Sequence, residues 1–313
     1  MKILVTGGTG LVGYAINQIK NLYPNYNFLF IGSSNCDLTN YEQTNAFFAK
    51  EKPDYVIHLA AYVGGLYKNL NYKVEMLEQN LLINFNVLKC CHLFQVKKCI
   101  STLSTCIFPD KTTYPINETM LHSGPPHDSN YSYAYAKRLL EVHSRSYREQ
   151  YGDNFICIIP TNIYGPNDNY DLENAHVIPA LIHQCHLSKK HNTPFIIRGT
   201  GKPLRQFIYS IDLAKLIMWT LENYNKEESI ILSVGENDEI SIENVARIIA
   251  KNFDYEHMIK FNSTFSDGQY KKTADNKTFL QLHGDFDFTS IEEGIKKSVN
   301  WFIKNKIRIF AYD

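Results

Sequence analysis

Three groups of residues in this chain of 313 carry types and spacings that could do chemistry. Tyr133 and Lys137 form a YxxxK pair, which on a helix lies one turn apart, about 6 Å along the axis, on a shared face. An ammonium beside a phenol favours the phenolate, so the spacing predicts a tyrosine of lowered pKa that exchanges a proton with a carbonyl or an alcohol. Ser104 stands at the end of KKCISTLST, Lys97 to Thr105, a run that reads as a parallel strand, where a hydroxyl can orient a reacting oxygen in the sheet crevice. Cys106 follows two residues later, and an extended backbone would turn both side chains to one side, toward one ligand.

The third group is TGGTGLVG, which sets Gly7, Gly10 and Gly13 directly between an apolar run, Lys2 to Thr6, and a predicted helix from about Gly13 to Leu22. Gly7 suits a tight turn, Gly10 lets a pyrophosphate approach the backbone, and Gly13 permits close contact between helix and sheet. Exposed N–H groups at the helix start then bind the anion. The segment lacks the GK[ST] ending of a Walker A loop. After the second apolar run comes GSSNCD instead of an immediate acid. An acid would hold the ribose hydroxyls of NAD and repel an added phosphate, whereas Ser33 and Ser34 can donate to one, which favours NADP. Asp37 lies further along, near the adenine or as a loop cap.

The elements that must position these groups alternate. Strand-like runs KILVT, FLFIG (ending at Gly32), DYVIHLA (ending at Ala60), KKCISTLST and NFICIIP (Asn154 to Pro160) are separated by helical patterns. These run from about Tyr41 to Lys50, Val74 to Phe94 and Tyr135 to Tyr151. That rhythm predicts an α/β fold, a Rossmann-like doubly wound parallel sheet with a smaller mixed α/β substrate-binding domain. Helical patterns at Val177 to Lys189, Ile211 to Glu222, Ile242 to Asn252 and Ile291 to Asn305 fill the second half. The expected division is an NADP-binding Rossmann domain over 1–165 and a mainly substrate-binding domain over 166–313. The stretch 207–240, which holds the apolar run Ile230 to Val234, is expected to return to the first domain. Phe108 to Asn130, rich in Pro, Asp, Thr and His, reads as an active-site loop.

Composition bounds the partners. The apolar letters make 44% of the chain, which excludes disorder as the dominant state, and Lys plus Arg equals Asp plus Glu at 32 each. Nothing global steers the protein toward nucleic acid or an anionic bilayer, so any anion site must be local. No leader pattern and no apolar window of membrane-spanning length is visible, and seven cysteines without CxxC spacing fit reduced thiols; the expectation is a cytoplasmic protein. His183, Cys185, His186 and His191 would spread over several helix faces, so no metal is expected. Neither a GxSxG elbow nor a carboxylate pair for glycoside hydrolysis is present.

TGGTGLVG, HLAAYVGG, STLSTCIFP, YAYAK, PTNIYGP, HVIPALIH, RQFIYSIDLA and SVGENDEISI follow one another over nearly the whole chain. In this order they closely resemble the extended short-chain dehydrogenase/reductase family, in its GDP-L-fucose synthase branch. The resemblance implies a dual epimerase-reductase that converts GDP-4-keto-6-deoxy-D-mannose with NADPH to GDP-L-fucose, inverting C3 and C5 before reducing the C4 ketone. By that resemblance Ser104, Tyr133 and Lys137 are the reductase triad. Cys106 and His176 are the epimerisation pair, with Cys106 removing protons and His176 returning them from the opposite face. A thiolate can serve as base near neutral pH in electropositive surroundings.

The resemblance extends the cofactor set from Gly7, Gly10, Gly13, Ser33, Ser34 and Asp37 to Leu11, Val12, Ala60 and Ala61. Tyr133, Lys137, Pro160, Asn162, Ile163 and His176 complete it. Substrate contacts are expected from Ser104, Cys106, Asn162, Arg205 and Lys272; Arg205 suits the diphosphate because its fork donates two parallel hydrogen bonds. Thr105 stands where such enzymes often have a second serine, and Gln184 where bacterial ones often have a basic residue. A homodimer formed through the two long helices is implied. A 4-epimerase or dehydratase with tightly held NAD, or an inactive nucleotide-sensing partner, would use the same glycine loop and stay open at this point.

Overall fold

Alternate residues of each strand run enter two separate apolar layers in the computed structural model, which describes residues 1–265, 267 and 269–309. The first half comprises β1 (Lys2–Thr6), α1 (Leu11–Ile19), β2 (Asn27–Ile31), α2 (Tyr41–Glu51), β3 (Tyr55–His58), α3 (Leu66–Asn71), α4 (Lys73–Leu93), β4 (Lys98–Thr102), α5 (Tyr131–Tyr151) and β5 (Phe155–Pro160). The second comprises β6 (Asn162–Tyr164), α6 (Val177–His191), β7 (Phe195–Arg198), β8 (Leu204–Arg205), β9 (Phe207–Tyr209), α7 (Ser210–Asn223), β10 (Ile230–Leu232), β11 (Ile240–Ser241), α8 (Ile242–Asn252), β12 (Ile259–Asn262), α9 (Lys277–His283) and α10 (Ile291–Ile309).

Six strands make one sheet in the order β10-β5-β4-β3-β1-β2, with every pairing parallel. Leu4, Val56, Cys99 and Phe155 point into the layer that packs on α4 and α5. Ile3, Val5, Ile57, Ile100 and Ile156 point the other way, into the layer shared with α1 and α7. Both faces of a parallel sheet are covered, which is why these runs are apolar throughout instead of alternating with polar residues. Strand order reverses between β1 and β3, and a crevice opens at the carboxyl ends there. A third apolar cluster, including Tyr170, Ile182, Phe195, Phe207, Ile249 and Phe302, joins α6, α8 and α10 with the short strand pairs β6–β9 and β7–β12.

Local signals explain where elements begin and stop. Asn40 caps α2 by accepting the Gln43 N–H at 3.0 Å, and the chain leaves through Lys52 at φ 46°. Ser241 caps α8 in the same way, and Gly152 at φ 77° ends α5. Two boundaries differ from the sequence expectation. Helix α5 begins at Tyr131, four residues before Tyr135, because the turn Asp128–Asn130, capped by the His127 ring, launches it early. Strand β4 stops at Thr102, short of Ser104. Helices α3 and α9, at six and seven residues, are too short to declare a period. Among the described residues no helix is long and apolar enough to cross a membrane.

At the amino end of β4, away from the crevice, Lys98 is buried and holds the end of α7. Its Nζ donates to the carbonyls of Thr220, Leu221 and Tyr224 at 2.8, 2.8 and 2.6 Å, gathering acceptors at the buried helix end, of which Thr220 O also takes the Tyr224 N–H. Lys98→Met should therefore lower the unfolding free energy by ~3 kcal/mol while leaving cofactor affinity unchanged. A urea titration alongside a binding titration checks this, and a loss below about 1 kcal/mol would contradict the capping role.

Candidate active site

Close backbone packing builds the glycine loop. Gly7 takes φ +65°, and a β-carbon on it would stand 2.8 Å from the Ala60 nitrogen. A β-carbon on Gly13 would stand 2.4 Å from the Gly8 Cα, so the close contact expected between helix and sheet is instead one between helix and loop. Gly8, which motif spacing passed over, is pinned to β2: its N–H donates to Ile31 O at 2.8 Å and its α-carbon lies against Phe30. Gly10 faces open space, since a β-carbon there would meet only Gly7 O, at 3.4 Å. It precedes α1 without any side-chain cap, so the first N–H groups, at Leu11, Val12 and Gly13, lack intrahelical partners and suit an anion. Ser33 and Ser34 are exposed on the turn after β2, and Gly32 just before them lies against Thr9 of the loop. Asp37 serves as a loop cap, accepting from Thr39 N and Oγ1 at 3.0 and 2.6 Å.

Behind the loop runs a buried polar chain. The Ala60 N–H donates to Thr6 Oγ1 at 3.2 Å, Thr6 Oγ1 pairs with His58 Nδ1 at 2.8 Å, and His58 Nε2 pairs with Asn84 Oδ1 at 3.1 Å. Since a carbonyl oxygen only accepts, His58 carries its proton on Nε2 and accepts the threonine hydroxyl on Nδ1. Burial, and then the Lys137 charge, push His58 down to about 3, so it is neutral.

Lys137 is buried on α5, and its Nζ donates to Thr102 O at 2.8 Å and stands 5.8 Å from the centre of the Tyr133 ring. Burial lowers Lys137 to about 8. The expectation of a tyrosine with lowered pKa is corrected here: burial raises Tyr133, and the neighbouring Cys106 opposes a second negative charge. Lys137 commits its first donor to a backbone carbonyl, and the ring is enclosed enough for desolvation to dominate.

The shared-face argument for Ser104 and Cys106 is corrected as well. Both lie beyond β4, and a 3₁₀ turn over Thr105–Ile107 brings them together; the Cys106 N–H donates to Ser104 Oγ at 3.4 Å. Cys106 is buried and lies within electrostatic reach of Lys137, Arg138 and Lys272 as well as Tyr133. Thr105 is buried in the same turn.

His176 immediately precedes α6 and is accessible, yet desolvation by the surrounding protein lowers its pKa; the positive helix end disfavours the imidazolium further. Lys272 and Arg205 likewise combine accessible surface with lowering by desolvation, and Arg205 adds to the lowering of Lys272. Accessible groups that are nonetheless enclosed by protein mark a deep crevice. Gln206, missed in the sequence, knits its wall: Nε2 donates to Val234, Gly235 and Ala274 carbonyls, and Oε1 accepts from Ala274 N at 2.8 Å. Its signal was a polar letter inside RQFIYSIDLA, just ahead of the apolar run Phe207–Tyr209, with nothing in the spacing to give it a role.

Other expected residues have backbone duties. Asn162 Nδ2 donates to Gln206 O at 2.9 Å, Pro160 ends β5 opposite Leu232, and Ile163 packs on the α1–α7 layer. Ala60 and Ala61 follow β3, half-buried. Lys271 is engaged by Glu236 and Glu239 at 3.5 and 3.6 Å, and Gln184 by Ile196 O at 2.8 Å, so neither is free for an anion. Gly65 ties the loop after β3 to the segment before His176, its N–H donating to Asn174 O at 3.0 Å.

A glycine loop at the switch point of a doubly wound sheet, facing a tyrosine–lysine pair on a flanking helix, defines a dinucleotide-dependent enzyme acting at a carbonyl or alcohol. The chain belongs to the NAD dependent epimerase/dehydratase family, whose family model matches residues 3–235. It is 55% identical over 305 residues to the GDP-L-fucose synthase of Dictyostelium discoideum, covering 97% of this chain and 95% of that one. It is 50% identical over 313 residues to the probable GDP-L-fucose synthase of Drosophila melanogaster, covering 97% and 98%. Among solved structures, a GDP-L-fucose synthetase from Naegleria fowleri bound to NADP matches with a TM-score of 0.93 at 48% identity, covering 97% of this chain and 93% of that one.

The loop before α6 holds a buried carboxyl, Asp168. Asn167 Nδ2 donates to Thr9 O at 3.1 Å, and beside it Asp168 accepts from Asn169 N on Oδ1 while Oδ2 is buried without a partner. Burial pushes Asp168 up to about 7. Below about pH 4 the acid is protonated in both folded and unfolded chains; between about 4 and 7 only the folded chain keeps the proton, so stability falls across that window and its loss is complete once pH has risen through 7. Asp168→Asn should gain ~2–3 kcal/mol on the parent between pH 5 and pH 8. Denaturant unfolding at both pH values measures it, and a pH-independent difference would contradict the assignment.

Proposed function

We propose that this chain is an NADPH-dependent dual epimerase-reductase that converts GDP-4-keto-6-deoxy-D-mannose to GDP-L-fucose, inverting C3 and C5 and then reducing the C4 ketone. The carrying observation is Cys106, set among cations directly beside the Tyr133–Lys137 pair, in a chain more than half identical to a GDP-L-fucose synthase.

The glycine cradle fits a dinucleotide pyrophosphate: substituting Gly7 or Gly13 would fill backbone contacts, and uncapped N–H groups meet the anion. Ser33 and Ser34 then donate to the 2′-phosphate, Asp37 holds the turn beside it, and Ala60, Ala61, Pro160, Asn162 and Ile163 line the route toward Tyr133. NADPH, when bound, supplies the hydride for C4. Arg205 and Lys272 hold the substrate diphosphate, whose charge adds to the partial compensation that Glu239 and Asp110 give these two desolvated cations.

The C4 carbonyl acidifies the protons at C3 and C5. Cys106 takes each proton, leaving an enolate whose oxygen is held by Ser104 and Tyr133, and His176 returns a proton to the opposite face. A nearby diphosphate favours the imidazolium of His176 and so counteracts desolvation. For the reductive step the raised pKa of Tyr133 is the useful state: the phenol is protonated and donates to the C4 oxygen as the alcohol forms, while Lys137 stabilises the phenolate left behind.

We assign 1–165 with about 207–240 to the cofactor half and the remainder mainly to the substrate half. A second copy of the chain fits the outer faces of α4 and α5, where Leu82, Phe85, Tyr131, Tyr135 and Leu139 are exposed side by side, giving a homodimer. Seven free thiols support the cytoplasm as its compartment.

Incubation with the keto sugar nucleotide should consume one NADPH per GDP-L-fucose formed. A 4-epimerase or dehydratase would recycle its cofactor with no net consumption, and a nucleotide sensor would turn nothing over. In deuterated water, Cys106→Ser should cut exchange at C3 and C5 ~100-fold or more while hydride transfer to an already epimerised substrate survives; equal loss of both would remove Cys106 from the base role.

A further inference from the structure

Arg138 follows Lys137 on α5 and is 7% exposed, yet among the described residues no carboxylate forms an ion pair with it. Its Nε donates to Ile107 O at 2.5 Å, the carbonyl of the last residue in the 3₁₀ turn bearing Cys106, and its Nη2 is buried with no partner. The guanidinium also lies 5.5 Å from the centre of the Tyr135 ring and interacts electrostatically with Cys106. A buried, unpaired cation carries a desolvation cost of several kcal/mol, which is offset only when a negative charge comes within reach. The sulfur of Cys106, once it has given up its proton, supplies that charge.

We infer that Arg138 is a positioning residue for Cys106: it clamps the Thr105–Ile107 turn through the Ile107 carbonyl and sets a fixed positive charge behind the sulfur. Lys137 and Lys272 also reach Cys106, but Lys137 is committed to Tyr133 and Thr102, and Lys272 to the anion side of the crevice with Arg205. Arg138 is the cation of the three whose one strong hydrogen bond goes to the cysteine's own turn. The inference rests on the reading of Cys106 as the base.

The test uses the full chain with the keto sugar nucleotide in deuterated water, without NADPH, so that exchange at C3 and C5 reports proton removal alone. Arg138→Met should lower exchange at neutral pH at least tenfold and move the acid limb of its pH profile upward by about one unit. Reduction of an already epimerised substrate with NADPH should stay within about twofold. Arg138→Gln, which keeps a donor for Ile107 O without the charge, should retain the turn and still show the displaced pH profile; it decides the matter if the methionine variant does not fold. An unmoved profile in Arg138→Gln, or exchange and reduction falling together, overturns the assignment. Exchange that persists in Cys106→Ser would instead overturn the base reading, so the two failures are distinct.

Discussion

The contact between Gly7 and the Ala60 backbone is the constraint from which the site is built. Two neighbouring parallel strands, β1 and β3, end side by side at the switch point, and the chain must leave both in different directions within the space of one missing side chain. Thr6 and His58, the last residues of those strands, lock this exit through a directional hydrogen-bond chain that runs on to Asn84 of α4. The chain needs a neutral histidine. Burial enforces that state, and so does Lys137, whose charge would be opposed by a second cation behind it. One buried network thus sets the cofactor loop, anchors a long helix and preserves the electrostatics of the tyrosine–lysine pair.

The charge pattern has a single logic. Lys137, Arg138, Arg205 and Lys272 converge around the crevice, and desolvation lowers the pKa of each. Glu239 and Asp110 offset Arg205 and Lys272 only in part, which keeps this cluster costly in the resting protein and favourable toward further anions. The two apolar layers on the sheet and the third cluster of the second half absorb that cost. Overall neutrality, 32 cationic against 32 anionic side chains, leaves this local excess unmasked by any long-range field.

Burial holds Tyr133 as a phenol, and Cys106 lies within electrostatic reach of it and of Lys137, Arg138 and Lys272. Tyr133 and Cys106 come from elements that meet only through tertiary packing: α5 and the turn after β4. The 3₁₀ turn matters because it redirects the chain at the crevice mouth, which a continued strand could not do.

Sequence alone determined the βαβ order, the glycine loop and the tyrosine–lysine face, because each rests on short-range spacing: period two, period 3.6, or glycine where no β-carbon fits. β1 and α8 fall on the residues their patterns predicted. What the tertiary structure decided involves partners far apart in the chain. Burial reversed the direction of the Tyr133 shift, since a desolvation cost depends on everything that surrounds a group and not on the lysine four residues away. The meeting of Ser104 with Cys106 came from a turn that alternation could not foresee. His58 and Gln206 sit inside motifs that said nothing of their roles, and Arg138 just beyond one, because those roles lie in groups that only folding brings within hydrogen-bond distance or electrostatic reach.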